Sequence, residues 1–181
     1  MASTTTTTIT VPNTTDMEDR DTARAEFTLV CEYLHGRRAL DARLVSSTTR
    51  MLSTRLAVRD ALIIAAVRPD VVDAEAMATF AFEPHEPRTA TLMGRLLTGA
   101  FETGEGYDAE TLDRFDALVD AADGEPDAQC LAVRAYLAWW RRDTDNAMRL
   151  ALEALALSED CTLAGIVFAA LTRGILPREQ A

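Results

Sequence analysis

Apolar residues recur along this chain every three or four positions, and nowhere do they alternate over a sustained stretch. That period is the helical one, so the pattern predicts an all-α fold. The first helix runs through Ala23, Phe27, Val30, Cys31 and Leu34 and ends at Gly36. Thr15-x-x-Glu18 reads as the capping box that opens it. Residues 38–67 follow as one long helix or two shorter ones, with Leu52, Leu56, Ile63 and Val67 on one face. Ser46 to Thr49 is the candidate break, because such side chains compete for backbone hydrogen bonds. Pro69 ends that segment, and 70–82 reads as a shorter helix. Residues 83–87, with two prolines, form the best internal boundary. Thr89 to Phe101 is helical, 103–107 is a glycine-containing loop, and 108–122 carries Leu112, Phe115, Leu118 and Val119 at helical spacing.

From Ala128 to Gly174 the pattern predicts three helices joined by very short turns. Pro126 falls just inside the first of them, where its missing N–H costs nothing. Leu131, Ala135 and Ala138 mark its apolar face, and Ala147, Leu150, Ala151, Ala154 and Leu157 mark that of the second. The breaks at 143–146 and 158–160 are long enough only for antiparallel neighbours. Gly174 suits the position after the last helix, with Pro177 beyond it. The sequence thus predicts a compact helical domain of about eight helices, built from antiparallel pairs. The domain spans 15–177, with a possible sub-boundary at 83–88. Residues 1–14 are a threonine-rich tail expected to be disordered, with a strand formed on binding as the alternative.

Two resemblances attach to these helices. Ala147, Ala154 and the turn ahead of them resemble a tetratricopeptide motif over 130–160. Ala135 stands where that motif has its glycine, and Glu159 where it has its closing proline. A single copy cannot bury its own faces, so a hairpin packed on earlier helices is expected rather than a superhelical array. The second resemblance covers roughly residues 50–177. Leu56-Ala-Val-Arg-Asp-Ala-Leu62, Leu137-Ala-Trp-Trp-Arg-Arg-Asp143, Ala147 through Leu157, and Leu171-Thr-Arg-Gly-Ile-Leu-Pro177 resemble the mainly actinobacterial family called domain of unknown function 4192. That resemblance implies a helical, cytoplasmic protein and transfers no activity. It extends only to the helical half of the family pattern, whose strand-bearing N-terminal region this chain lacks.

Composition adds a constraint on partners. Hydrophobic residues make up 48% of the 181, ample for one core. Net charge is −11, which disfavours broad contact with nucleic acid or anionic membrane. Every basic residue is arginine, as a GC-rich genome would produce. No apolar run reaches membrane-spanning length. The N-terminus lacks the basic start and apolar core of a signal peptide, so a cytoplasmic location is expected.

Against that acidic background, residues 36–68 hold seven arginines and only Asp41 and Asp60. Arg43, Arg50, Arg55 and Arg59 are the candidate binding residues. Arg55 and Arg59, one helical turn apart, are expected to share a face. Such a patch suits a phosphate, a nucleic-acid backbone or an acidic helix, unless its arginines pair with carboxylates of neighbouring helices. Trp139 and Trp140 point about 100° apart on a helix. An exposed Trp140 followed by Arg141 is the second candidate binding feature.

The remaining polar features carry less. Gly104-Glu105-Gly106 lacks the strand a phosphate loop needs and reads as a plain loop. Asp113, Asp116, Asp120 and Asp123 form a stripe expected to be a solvated helix face. Cys31, Cys130 and Cys161 are spaced unlike a zinc site and read as buried thiols. His35 and His85 have no second ligand nearby, and no metal or cofactor is expected. The sequence therefore favours a non-catalytic helical interaction module, binding a protein partner or itself. Nucleic-acid or phosphate binding through 36–68 is the alternative. An enzyme without a recognisable motif is the third reading.

Overall fold

The structure, a computed structural model, describes residues 14–122, 124 and 127–179, without the side chains of 14–17, 53 and 54. The threonine-rich tail up to residue 13, the side chain of Thr15, Asp123 and Pro126 lie outside the described residues. Within them the chain forms nine helices: α1 (Thr14–Leu34), α2 (Ala42–Thr54), α3 (Leu56–Val67), α4 (Ala74–Phe82), α5 (Pro87–Thr103), α6 (Ala109–Ala122), α7 (Ala128–Trp140), α8 (Thr144–Leu157) and α9 (Thr162–Thr172). No strand occurs among the described residues. No helix there is long and apolar enough to cross a membrane.

α3 is apolar nearly all round, and such a helix must be enclosed. Every residue from Val58 to Val67 except the half-exposed Asp60 is buried. α2, α4, α5 and α6 all pack against it. α1 lies across α4 and α2 and inserts Phe27 and Val30 into the same core. α7, α8 and α9 pack on one another as a second group, with α7 and α8 the closest pair. Ala147, Ala151 and Ala154 are fully buried in α8, and side chains this small let the two axes approach closely. A single buried cluster runs from Phe27 to Ala170, across the proline-containing turn at 83–86.

Two predicted boundaries move. The Ser46–Thr49 run does not break the helix; the break comes at Arg55, which is extended at φ −147° and ψ 135°. Within the run Thr49 Oγ1 donates back to Val45 O at 3.0 Å and also reaches Ala122 O at 3.1 Å, while the hydroxyls of Ser47 and Thr48 are buried with no partner among the described residues. α4 begins at Ala74 rather than Asp70, because Asp73 accepts a hydrogen bond from Ala76 N and caps it.

The acidic composition is used at these caps. Asp41, Asp73, Asp127 and Asp143 each accept backbone N–H groups at the start of α2, α4, α7 and α8. The carboxylate stripe of α6 is likewise not simply solvated. Arg134 of α7 pairs with Asp116 at 3.1 Å and Asp120 at 2.6 Å. Arg141 pairs with Asp113 at 2.9 Å and Asp116 at 3.2 Å. Asp113, Asp116 and Asp120 thus edge the α6–α7 seam that joins the two helix groups, Asp113 and Asp120 remaining exposed as a solvated face would be.

Candidate functional site

α2 places Arg43, Ser46, Ser47 and Arg50 at i, i+3, i+4 and i+7, which puts them on one helical face. α1 has the same spacing at Thr22, Ala25, Glu26 and Leu29. The two faces confront each other and enclose a cleft of about 460 Å³. A second cleft of about 270 Å³ adjoins it, sharing Thr22, Glu26 and Arg50. This second cleft continues past the helix break to Arg55 and Phe82, over the buried side chains of Phe27, Met51 and Val58.

The groove has Arg43, Arg50 and Arg55 on one side, Asp19 and Glu26 of α1 on the other, and an apolar floor. Arg50 forms an ion pair with Glu26 across its middle. Arg55 stacks over the Phe82 ring, its Cζ 5.4 Å from the ring centre. Arg43 is exposed, with no carboxylate within 4 Å among the described residues. The Ser47 hydroxyl is buried, at 7% residue exposure, and its Oγ has no hydrogen-bond partner although the residue lines the cleft. Arginine side chains offer only donors, so the exposed Arg43 and Arg55 suit carboxylates and other oxyanions.

Comparison with protein-family models, with curated proteins and with solved structures yields no match.

Of the sequence candidates, Arg43, Arg50 and Arg55 come together here. Arg59 does not. It is 5% exposed and turned inward, donating from Nε and Nη2 to Asp60 Oδ1 at 2.9 and 2.7 Å and from Nη1 to Gln129 Oε1 at 2.6 Å. Arg55 lies outside either helix, so the one-face rule fails for the pair. Trp140 is 2% exposed, packed against Phe101, Tyr136 and Trp139. Trp139 is also buried, its Nε1 donating to Ile175 O at 2.9 Å. Neither indole is a surface anchor. Arg141 turns back onto α6, donating to Leu112 O at 2.9 Å besides its two aspartates.

The wider arginine segment also disperses. Arg38 pairs with Asp41 and Glu32. Arg68 is buried in a bidentate contact with Asp70, both bonds 2.9 Å, and reaches Glu105 at 3.1 Å. The glycine-containing loop has its role here. Gly104, in the left-handed region at φ 76°, ends α5 and lets the loop turn back. A Cβ on Gly106 would lie 2.1 Å from Asp70 Oδ1 and 2.4 Å from Arg68 Nε, so the loop closes on the ion pair only with glycine there.

Thr22, Glu26 and Phe82 were not singled out from the sequence. They reach the groove from two other helices, and no local pattern marks them. Burial pushes the Cys31 thiol up to about 11, so it is not a nucleophile at neutral pH. Among the described residues no group of three or more His, Cys, Asp or Glu side chains is placed to hold a metal ion.

Proposed function

We propose that this protein is a helical interaction module whose work is binding rather than catalysis. The α1–α2 groove would dock an acidic, partly apolar segment of a protein partner. The observation that carries the reading is the pair Arg43 and Arg55, both exposed and without a carboxylate partner among the described residues, at the two ends of a groove whose middle is closed by the Arg50–Glu26 pair and whose floor is apolar, in a chain of net charge −11. A segment interleaving Asp or Glu with apolar residues matches both parts of that surface. Dispersal of Arg38, Arg59 and Arg68 into internal ion pairs disfavours the nucleic-acid alternative, which needs a broad basic face. Cys31, Cys130 and Cys161 are buried and not joined by disulfides, which suits a reducing cytoplasm.

Peptide display on the immobilised protein tests this. Enrichment should favour acidic sequences with apolar residues at helical or alternate spacing. Arg43→Glu with Arg55→Glu should weaken an enriched peptide by about tenfold or more, roughly 1.4 kcal/mol, while the circular dichroism spectrum holds. Enrichment of basic or uncharged peptides, or binding indifferent to the double reversal, would remove the groove from consideration.

A further inference from the structure

The α8–α9 end of the molecule carries a surface that the groove does not use. α9 runs eleven residues, Thr162–Thr172, without one charged side chain. Leu163, Ala164, Val167 and Ala170 face inward and are buried. The helical repeat then turns Gly165, Ala169 and Thr172 outward, with Ile166 on one flank and Phe168 on the other. Ile166 is 57% exposed and Phe168 37%. A Cβ built on Gly165 would meet nothing within 4 Å, so the ridge is low and open. A helix that is apolar on every side normally lies enclosed, yet here one side is bare.

The two ends of α9 carry opposite charge. Glu159 and Asp160 stand exposed just before it, and Arg173 stands exposed just after it. None of these three side chains has an ion-pair partner among the described residues.

We propose that a second copy of this chain docks on this face, α9 against α9, antiparallel about a two-fold axis near the middle of the helix. A two-fold contact makes residue i meet residue j and j meet i. The antiparallel arrangement therefore sets the acidic start of each α9 toward the arginine end of the other. The ridge of Gly165 and Ala169 lets the two helices approach until Ile166 and Phe168 of each copy are covered. Charge also selects the face. Two chains of net charge −11 repel, so contact between copies needs a surface whose centre is uncharged and whose edges complement themselves.

Sedimentation equilibrium on the full chain from about 1 to several hundred micromolar, the range of weak interfaces, tests the proposal. The expected result is a concentration-dependent dimer. Ile166→Glu should weaken it at least about thirtyfold, as loss of a central apolar anchor does. Because Ile166 is largely exposed, that variant should keep its helicity and its melting temperature. Arg173→Glu should weaken the dimer by about tenfold, and adding Asp160→Arg should restore it. A chain that stays monomeric throughout would overturn the proposal. So would a dimer that ignores Ile166→Glu, or a charge swap that fails to restore.

Discussion

Arg55 and Arg59 show how one backbone torsion separates two arginines four positions apart. Arg55 caps the break between α2 and α3 and stays outside, over Phe82. Arg59 lies inside α3 and is drawn into the core, where Asp60 and Gln129 satisfy it. Arg59→Ala is expected to cost about 1–2 kcal/mol in urea unfolding, the partly exposed Asp60 moderating the loss. Arg55→Ala should cost under about 1 kcal/mol, the worth of an exposed cation–π contact. Equal costs would mean that the two side chains share one environment.

The helices owe their starts to single carboxylates. Asp143 receives Asn146 N at 3.3 Å at the head of α8, the helix that packs most closely on α7. Asp143→Ala should lower stability by about 1 kcal/mol, read as a shift in the urea midpoint, with Asp143→Asn close to neutral. The Ser46–Thr49 run makes the converse point. Residues that favour breaks stay helical when tertiary packing absorbs them, and Thr48 is fully buried.

Carboxylate titration connects these local bonds to the stability of the whole domain. Asp70 is held below the usual carboxylate range by hydrogen bonds from Arg68. Asp108 is held there by Thr111, and Asp41 chiefly by the Leu44 N–H. A carboxylate with a lowered folded-state pKa adds stability above its unfolded value of 3.8 and loses it as pH falls through the folded value. The urea midpoint should therefore be flat with respect to these groups above about pH 5 and fall below about pH 4. Asp70→Asn should remove part of that acid dependence, while lowering stability at pH 7 because Arg68 loses its bidentate partner. An unchanged acid slope in that variant would show that Asp70 titrates normally in the folded chain.

The sequence by itself determined the fold class, the approximate places of the helices and the three-helix C-terminal block. Periodicity, prolines and short polar breaks are local signals, and local backbone preferences obey them. It also marked Arg43, Arg50 and Arg55 as residues of interest, through their excess over nearby acids. Tertiary structure alone decided which arginines remained on the surface. Burial depends on what packs against a side chain: Arg59 met Gln129 from 70 residues away, Arg68 met Glu105 from 37 away, and Trp140 met Phe101 of α5. The far wall of the groove, Thr22 and Glu26 with Phe82, was decided the same way, by the packing of α1 against α2 and α4. The bare side of α9 belongs with these. An apolar run reads as buried in sequence, and only the arrangement of its neighbours left one face of it open.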